Sequence, residues 1–103
     1  MKRAMEIAVA DFGGEIQGHP IELTGFDSEC NELAAQRGAQ ILVRDDSVVG
    51  ILGTTCTRGA LRAAPIVSDG DRVLISPSTT SPELTDPESR TPGFFRTAPS
   101  DLF

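Results

Sequence analysis

The stretch that decides the fold is Val48-Val-Gly-Ile-Leu-Gly-Thr-Thr-Cys-Thr57. An apolar run rich in β-branched residues ends at Gly53, small hydroxyl residues follow, and residues 58–67 are compatible with a helix. This order predicts a buried strand, a tight turn and the N-terminus of a helix. A helix N-terminus presents unpaired N–H groups and a partial positive charge, so the turn suits an anion such as a carboxylate. Three hydroxyls there can donate or accept: Thr54, Thr55 and Thr57.

Length, charge and hydropathy limit the class of protein. A chain of 103 residues is one domain or less. Its net charge of −6, with nine scattered basic residues, argues against nucleic acid as a partner. No apolar run approaches the roughly 20 residues that span a bilayer. Glu6 and Asp11 interrupt the segment after Met1-Lys-Arg, so no signal peptide is predicted in this chain.

The flanking segments alternate between helix and strand. Upstream, residues 1–12 have an apolar stripe at helical spacing, and Gly13-Gly14 ends that helix. Residues 20–27 alternate as in a strand, and residues 31–44 predict a helix. Gly38 lies inside that helix and costs it about 1 kcal/mol relative to Ala, so the helix needs tertiary support. Downstream we expect a bend at Pro65, strands at 72–76 and 94–98, and a short helical turn at 81–84.

This alternation predicts a three-layer α/β/α fold around a mostly parallel sheet, built from right-handed βαβ units. In an open α/β sheet, ligands bind at the carboxyl ends of the strands, which is where the turn at residues 53–57 lies. The first helix has no strand before it, and the last strand has no helix to cover it. Both ends of the fold therefore look cut.

Five stretches, in order over nearly all 103 residues, resemble one known family. They are Gly13-Gly14 with Gly18-His-Pro20-Ile-Glu-Leu23, Asp27-Ser-Glu-Cys30, Val49-Gly-Ile-Leu-Gly53 with Cys56-Thr57, Ile75-Ser-Pro-Ser-Thr-Thr80-Ser-Pro-Glu-Leu84, and Phe94-Phe-Arg-Thr-Ala-Pro-Ser-Asp101. Together they resemble the N-terminal lobe of type I periplasmic solute-binding proteins, in the branched-chain amino acid (leucine/isoleucine/valine) branch of ABC transporters. No single stretch would be specific.

The resemblance implies that residues 1–103 are a partial N-terminal lobe. Family members begin with a strand and a ligand-contacting loop that would precede Met1, and they have a second lobe that this chain lacks. Their mechanism is non-catalytic: an amino acid binds between two lobes, which close, and a membrane permease receives the closed form. No cofactor is implied. The incomplete sheet would also invite self-association with a second copy.

Four residues are predicted ligand contacts by analogy with the family. Thr57 would offer its hydroxyl and backbone N–H to the ligand's carboxylate, and Thr80 would do likewise from the next turn. Ser78 would lend its backbone carbonyl to the ammonium group, with Thr79 beside it. Hydroxyls and amides at strand ends can hold a carboxylate without a buried arginine. The alternative is that these residues are helix caps and turn formers.

The two cysteines have three interpretations. In relatives of this branch the pair corresponding to Cys30 and Cys56 is disulfide-bonded, which an exported protein permits. Two buried free thiols are the second possibility. A metal pair is the third, but the CxxC-type spacing is missing and His19 is the only histidine, so we predict no metal site.

Other functions fit the sequence less well. Nothing supplies a general base, a nucleophile or a metal, so we predict no enzymatic activity. Asp45-Asp46 is typical of a solvated turn. Asp27 could suggest the phospho-acceptor of a receiver domain, but the lysine that such a domain needs late in the chain is absent, since Lys2 is the only one. The remaining alternatives are the ligand-binding sensory domain of a receptor or amino-acid-responsive regulator, and a truncated product that binds nothing.

Overall fold

A computed structural model describes residues 1–102 as three helices, a short 3₁₀ turn and five strands. The helices are α1 (Lys2–Phe12), α2 (Glu32–Arg44) and α3 (Thr57–Asp69), and the 3₁₀ turn is Pro82–Leu84. The strands are β1 (Glu15–Ile16), β2 (His19–Pro20), β3 (Gly50–Leu52), β4 (Val73–Ser76) and β5 (Phe94–Arg96). No helix within residues 1–102 combines the length and the apolar character needed to cross a membrane.

The main sheet is parallel, as predicted. Its strands lie in the order β3-β4-β5, with Ile51 opposite Leu74 and Leu74 opposite Phe94. β1 and β2 form a separate antiparallel hairpin after α1. Because β3, β4 and β5 all run the same way, the turns that follow them meet at one edge of the sheet.

One face of the sheet carries the core. Side chains of Ile51, Leu74 and Phe94 pack there against α3, which in turn packs against α2. The helix surfaces in contact are built from small residues, which let the two backbones approach closely. The buried members are Ala35, Gly38 and Ala39 of α2, and Gly59, Ala60, Ala63, Ala64 and Val67 of α3.

The tertiary support that α2 needs comes from the loop before it. Gly38 is buried, and a Cβ atom there would lie 2.5 Å from Cδ1 of the Phe26 ring. The glycine therefore makes room for the ring, and this packing offsets its helix-breaking tendency. Asn31 caps the same helix by accepting hydrogen bonds from the N–H groups of Leu33 (2.8 Å) and Ala34 (3.1 Å).

The other face of the sheet is covered only loosely. α1 lies on that side, but none of its residues is buried. A cavity of about 500 Å³ separates its apolar stripe, which includes Met5 and Val9, from Leu52 and Ile75 of the sheet. The three predicted layers are therefore present: α2 and α3, the sheet, and α1. The cavity keeps α1 from packing closely against the sheet.

The predicted strand at residues 20–27 is wrong. Only His19 and Pro20 pair, in the β1–β2 hairpin, and residues 21–28 have no regular secondary structure. Their alternating pattern indicates an extended backbone, but a strand also needs a neighbour within hydrogen-bonding distance. A cavity of about 310 Å³ separates residues 21–23 from β3, so they have no such neighbour among the described residues. The alternation therefore indicates an extended segment correctly but does not specify a partner strand.

The predicted boundaries around α3 also shift. The helix begins at Thr57 and continues through Pro65 to Asp69, two residues beyond the predicted end. Buried Ala64 and Val67 on either side of Pro65 show that packing outweighs the lost backbone hydrogen bond. Similarly, β5 ends at Arg96 rather than at residue 98.

The turn between α2 and β3 is solvated, as Asp45-Asp46 indicated. The hydroxyl and the N–H of Ser47 donate to Asp45 Oδ1 at 2.6 and 2.9 Å, and they hold the pKa of this carboxyl below its ordinary value of 3.8. The guanidinium of Arg72 also stabilises this turn, because its Nε donates to the Val48 carbonyl at 2.7 Å.

We therefore expect Ser47→Ala to raise the pKa of Asp45. The depressed pKa stabilises the fold at pH values above the ordinary value, and this contribution disappears as the pH falls through the lowered one. The chemical shift of the Asp45 carboxyl carbon, followed by NMR from pH 2 to 6, gives the titration midpoint of Asp45 in the parent and in the variant. Ser28→Ala, whose hydroxyl is remote from this turn, is the control. Equal Asp45 midpoints in the S47A variant and the parent would contradict the assignment.

Candidate functional site

Two turns at the carboxyl edge of the sheet form the candidate site. The first, residues 53–56, joins β3 to α3, and the second, residues 77–81, follows β4. The fully buried hydroxyl of Ser76 donates to the Thr54 carbonyl at 2.8 Å and accepts from the N–H of Thr79 at 3.2 Å. Ser78 Oγ also donates to the Thr55 carbonyl at 3.1 Å. The two turns are therefore held together as one unit.

The first turn ends in a helix N-terminus with no side-chain cap. Cys56 is the N-cap residue of α3 and makes no capping hydrogen bond, in contrast to Asn31 at the start of α2. Thr57 is the first helical residue and is partly exposed. Within residues 1–102, no side chain accepts from the first-turn N–H groups of Thr57, Arg58 or Gly59, so these donors can take an anion.

The second turn carries Thr80 next to a carboxylate. Thr80 Oγ1 donates to Asp101 Oδ2 at 2.9 Å, and the N–H of Asp101 donates to the Thr80 carbonyl at 2.9 Å. Ser78 is exposed. Thr79 faces the other way: its side chain is buried, and Thr79 Oγ1 has no hydrogen-bond partner in the described part of the chain. Thr79 could therefore reach a ligand in this turn only through its backbone.

Arg96 of β5 holds the second turn from behind. Its guanidinium donates to the carbonyls of Ser81 at 2.8 Å and Thr79 at 3.4 Å, and also to the Thr85 hydroxyl. These bonds fix the carbonyls that bracket Thr80. The charge of Arg96 is thereby used inside the loop and is not offered to a ligand.

Cys30 and Cys56 are joined in a disulfide with their Cα atoms 5.4 Å apart. The bond ties the loop before α2 to the N-cap of α3. Nearby, Glu32 pairs with Arg62 at 3.4 Å and Arg58 at 3.9 Å, and both arginines are largely exposed. Such exposed pairs add little stability. In the part of the chain that the structure describes, no three His, Cys, Asp or Glu side chains lie together as a metal site.

The structure thus places Ser78, Thr79 and Thr80 on the second turn and Thr57 at the start of α3, directly after the first turn. Ser78 bridges the turns directly, whereas no hydrogen bond joins Thr57 to Thr80 among the described residues. Sequence reasoning missed Ser76, Arg96 and Asp101. For Ser76 a signal existed, because a hydroxyl at a core-facing strand position must find a partner. For Arg96 and Asp101 no local pattern predicted their partners.

Comparison with known proteins gives consistent matches. The sequence profile of a family described as "Periplasmic binding protein" matches residues 1–101. A Leu/Ile/Val-binding protein of Escherichia coli K12 is 32% identical over 82 residues, which are 78% of this chain and 22% of that protein. An amino acid binding protein of Pseudomonas aeruginosa is 28% identical over 73 residues, 71% of this chain and 20% of that protein.

Solved structures agree. An ABC transporter substrate-binding protein from Desulfitobacterium hafniense, in complex with Leu, superposes with a TM-score of 0.89 at 28% identity. A periplasmic binding protein from Burkholderia mallei gives 0.88 at 27% identity. These superpositions cover 97% and 96% of this chain, but only 30% and 26% of the other chains. The chain spans between a fifth and a third of the length of these relatives.

Proposed function

Since this chain belongs to the periplasmic binding protein family, we propose that it is part of the first lobe of a substrate-binding component of an ABC transporter. The ligand is an amino acid of the branched-chain type or a similar small polar molecule, and binding takes place outside the cytoplasm. The observation that carries the proposal is the uncapped N-terminus of α3 beside a second hydroxyl-bearing turn. An amino acid has one anionic and one cationic group, and the two turns offer a partner for each.

The charges of the two turns give the ligand a direction. The first-turn N–H groups of α3 and the Thr57 hydroxyl bind the carboxylate, because they are donors at the positive end of a helix dipole. A carboxylate lies beside the second turn, since the Thr80 hydroxyl donates a hydrogen bond to Asp101. Because its hydroxyl proton is used by Asp101, Thr80 takes a different role here from the carboxylate contact expected from the sequence: its oxygen and the Ser78 carbonyl accept from the ammonium group, with Asp101 supplying negative charge.

The proposed action is binding without chemistry. The turns provide hydroxyls, amides and a carboxylate that hold a zwitterion, and a second lobe closes over it before a membrane permease receives the closed form. Because one lobe supplies only some of the contacts, affinity for a free amino acid is weak in this chain. The residues that hold the ligand act from two turns locked by Ser76 and Ser78.

The test is an NMR titration of the ¹⁵N-labelled chain with leucine and, separately, each of the other nineteen common amino acids. We expect millimolar leucine to shift the amide signals of Thr57, Arg58 and Gly59. Thr57→Val should weaken binding at least about tenfold, because a hydrogen bond to a charged group contributes roughly 1.5–3 kcal/mol. The control is Thr91→Val. Thr91 precedes β5, at the opposite end of the sheet from the two turns, so this variant should bind leucine as the parent does.

Two results would overturn the proposal. One is the absence of amide shifts at the N-terminus of α3 with every amino acid. The other is equal weakening by T57V and T91V, which would show that the loss is not local to the site.

We also expect the chain to self-associate through its incomplete sheet. The outer edge of β5 has no neighbouring strand among the described residues, and Phe95 on it is 55% exposed. Sedimentation velocity at rising concentration should show a growing dimer fraction, reduced by Phe95→Lys and unchanged by Ile41→Lys on the outer side of α2. A sedimentation coefficient independent of concentration would refute this.

A further inference from the structure

We propose that the disulfide between Cys30 and Cys56 is a redox gate on the ligand site, and that its reduction weakens binding of the amino acid. Reduction frees the Cys56 sulfur as a thiolate, which then occupies the N–H groups of α3 that the carboxylate of the ligand needs. The gate acts on the site described above and therefore rests on the proposed function. Three features support it: the position of Cys56, its backbone conformation and the exposure of Cys30.

The backbone of Cys56 already has the conformation of a capping residue. Its φ is −111° and its ψ is 138°, close to the −108° and 130° of Asn31, the N-cap residue of α2. The Asn31 side chain accepts from the N–H groups of the second and third residues of its helix, at 2.8 and 3.1 Å. The equivalent donors of α3 belong to Arg58 and Gly59, and no side chain caps them within residues 1–102. A cysteine sulfur occupies the place of a serine hydroxyl, so rotation about the Cα–Cβ bond would bring a freed sulfur to these donors.

The charge of the Cys56 sulfur decides whether the donors are open. In the disulfide the sulfur is uncharged and bonded to Cys30, so the N–H groups can take a carboxylate. A free thiol at this position favours the thiolate, because a helix N-terminus and a nearby arginine, here Arg58, both stabilise the negative charge. The acidic Glu32 of α2 opposes this little, since it is paired with Arg62 at 3.4 Å and Arg58 at 3.9 Å. The thiolate and the carboxylate repel each other and compete for the same donors, so each excludes the other.

The bond is open to a reductant from the side of Cys30, which is exposed, whereas Cys56 is only partly exposed. A thiolate of a dithiol reductant attacks the Cys30 sulfur, a mixed disulfide forms there, and Cys56 leaves as a thiolate. The second thiol of the reductant, after losing its proton, attacks the reductant sulfur of the mixed disulfide and releases Cys30. The dithiol thereby loses two electrons and two protons and becomes a cyclic disulfide. Cys30 takes one proton and the solvent takes the other. Stabilisation of Cys56 as an anion makes it the better leaving group.

The loop that carries Cys30 has a backbone that relaxes when the bond opens. Glu29 and Cys30 both have a φ of 52°, in the left-handed region that favours glycine and costs other residues free energy. The N–H of Glu29 donates to Asp27 Oδ1 at 2.9 Å, which holds part of this turn. The disulfide is the covalent restraint on its far end. Relaxation of the two residues separates the sulfurs and leaves Cys56 free to cap α3.

Two single variants separate the effect of the thiolate from the loss of the bond. Cys30→Ala and Cys56→Ala remove the same disulfide, but only C30A keeps a sulfur at the N-cap of α3. Leucine titrations followed by NMR at about pH 7, where a thiol at a helix N-terminus is ionised, compare the two. C30A should bind leucine at least about tenfold more weakly than C56A. Methyl methanethiosulfonate converts the thiolate of C30A into an uncharged methyl disulfide and releases methanesulfinate, and this should restore the affinity to that of C56A.

Hydrogen exchange tests the cap without leucine. In C30A the amides of Arg58 and Gly59 should exchange more slowly with the thiolate than with the methyl disulfide, because a capping acceptor protects these N–H groups. Circular dichroism and urea unfolding check that both variants are folded and equally stable. The parent protein, reduced with dithiothreitol and then methylthiolated at both cysteines, repeats the comparison without a substitution and covers the case in which a variant does not fold.

Failure of the gate and failure of the proposed function give different results. If the oxidised parent shows no amide shifts with leucine, the proposed function is wrong and the gate is overturned with it. If the oxidised parent binds leucine but C30A binds it as tightly as C56A, the gate alone is overturned. The same holds if methylthiolation of C30A leaves its affinity unchanged, or if it leaves the exchange of both α3 amides unchanged.

Discussion

Replacing Cys30 and Cys56 by alanine is expected to lower the free energy of unfolding by about 3 kcal/mol. The disulfide closes a loop between residues 26 positions apart, which restricts the unfolded chain and accounts for a loss of this size. A chain of 103 residues buries a limited core, so such a loss is a large part of its total stability. The bond also fixes Cys56, the N-cap residue of α3, and therefore the position of the first-turn N–H groups of this helix.

Urea unfolding followed by far-UV circular dichroism measures this effect. The parent protein with dithiothreitol should unfold at the same lower urea concentration as the double variant. The double variant itself should not respond to dithiothreitol, which controls for effects of the reductant. Coincident unfolding curves for the oxidised parent and the double variant would show that the bond does not stabilise the fold.

The elements that could be predicted from sequence are those in which local chemistry and packing agree. Asn31 caps α2 as its residue type suggests, and Gly13 ends α1 with a positive φ of 99°. Residues 20–27 failed as a strand because pairing depends on what lies beside them, which no local pattern contains. Pro65 predicts a bend in α3, but the length of that helix, which continues past Pro65 to Asp69, is decided by the packing of distant residues against it.

For the candidate site, the two turns could be predicted from the residues, whereas the hydrogen bonds that link them are visible only in the structure. The hydroxyl-rich stretches after β3 and β4 could be placed at the edge of a parallel sheet from the alternation of elements alone. The burial of Thr79 and the contact of Thr80 with Asp101 could not be predicted in this way. Adjacent turn residues face opposite ways, and Asp101 is 21 residues from Thr80 in the chain. Contacts across such separations are set by the packed fold.

Ser76→Ala is expected to destabilise the protein by roughly 2–3 kcal/mol and to uncouple the two turns. The change removes a buried hydroxyl and leaves the Thr54 carbonyl and the Thr79 N–H without their partner. An unsatisfied buried polar group costs about 1–3 kcal/mol. The matched control is Ser89→Ala: Ser89 also donates to a backbone carbonyl, that of Glu83 at 2.7 Å, but it is exposed, so we expect a loss of less than about 0.5 kcal/mol.

Two measurements separate a structural role from a role in the site. Urea unfolding gives the stability of each variant, and hydrogen exchange of the Thr79 amide reports whether the second turn is still held. The S76A variant should lose protection at that amide and also bind leucine more weakly, although Ser76 is fully buried and its hydroxyl bonds only to the two turns. T57V should weaken binding at unchanged stability, because the Thr57 side chain caps nothing. If the S76A variant keeps both Thr79 protection and leucine affinity, the two turns are held by Ser78 and its bond to the Thr55 carbonyl instead.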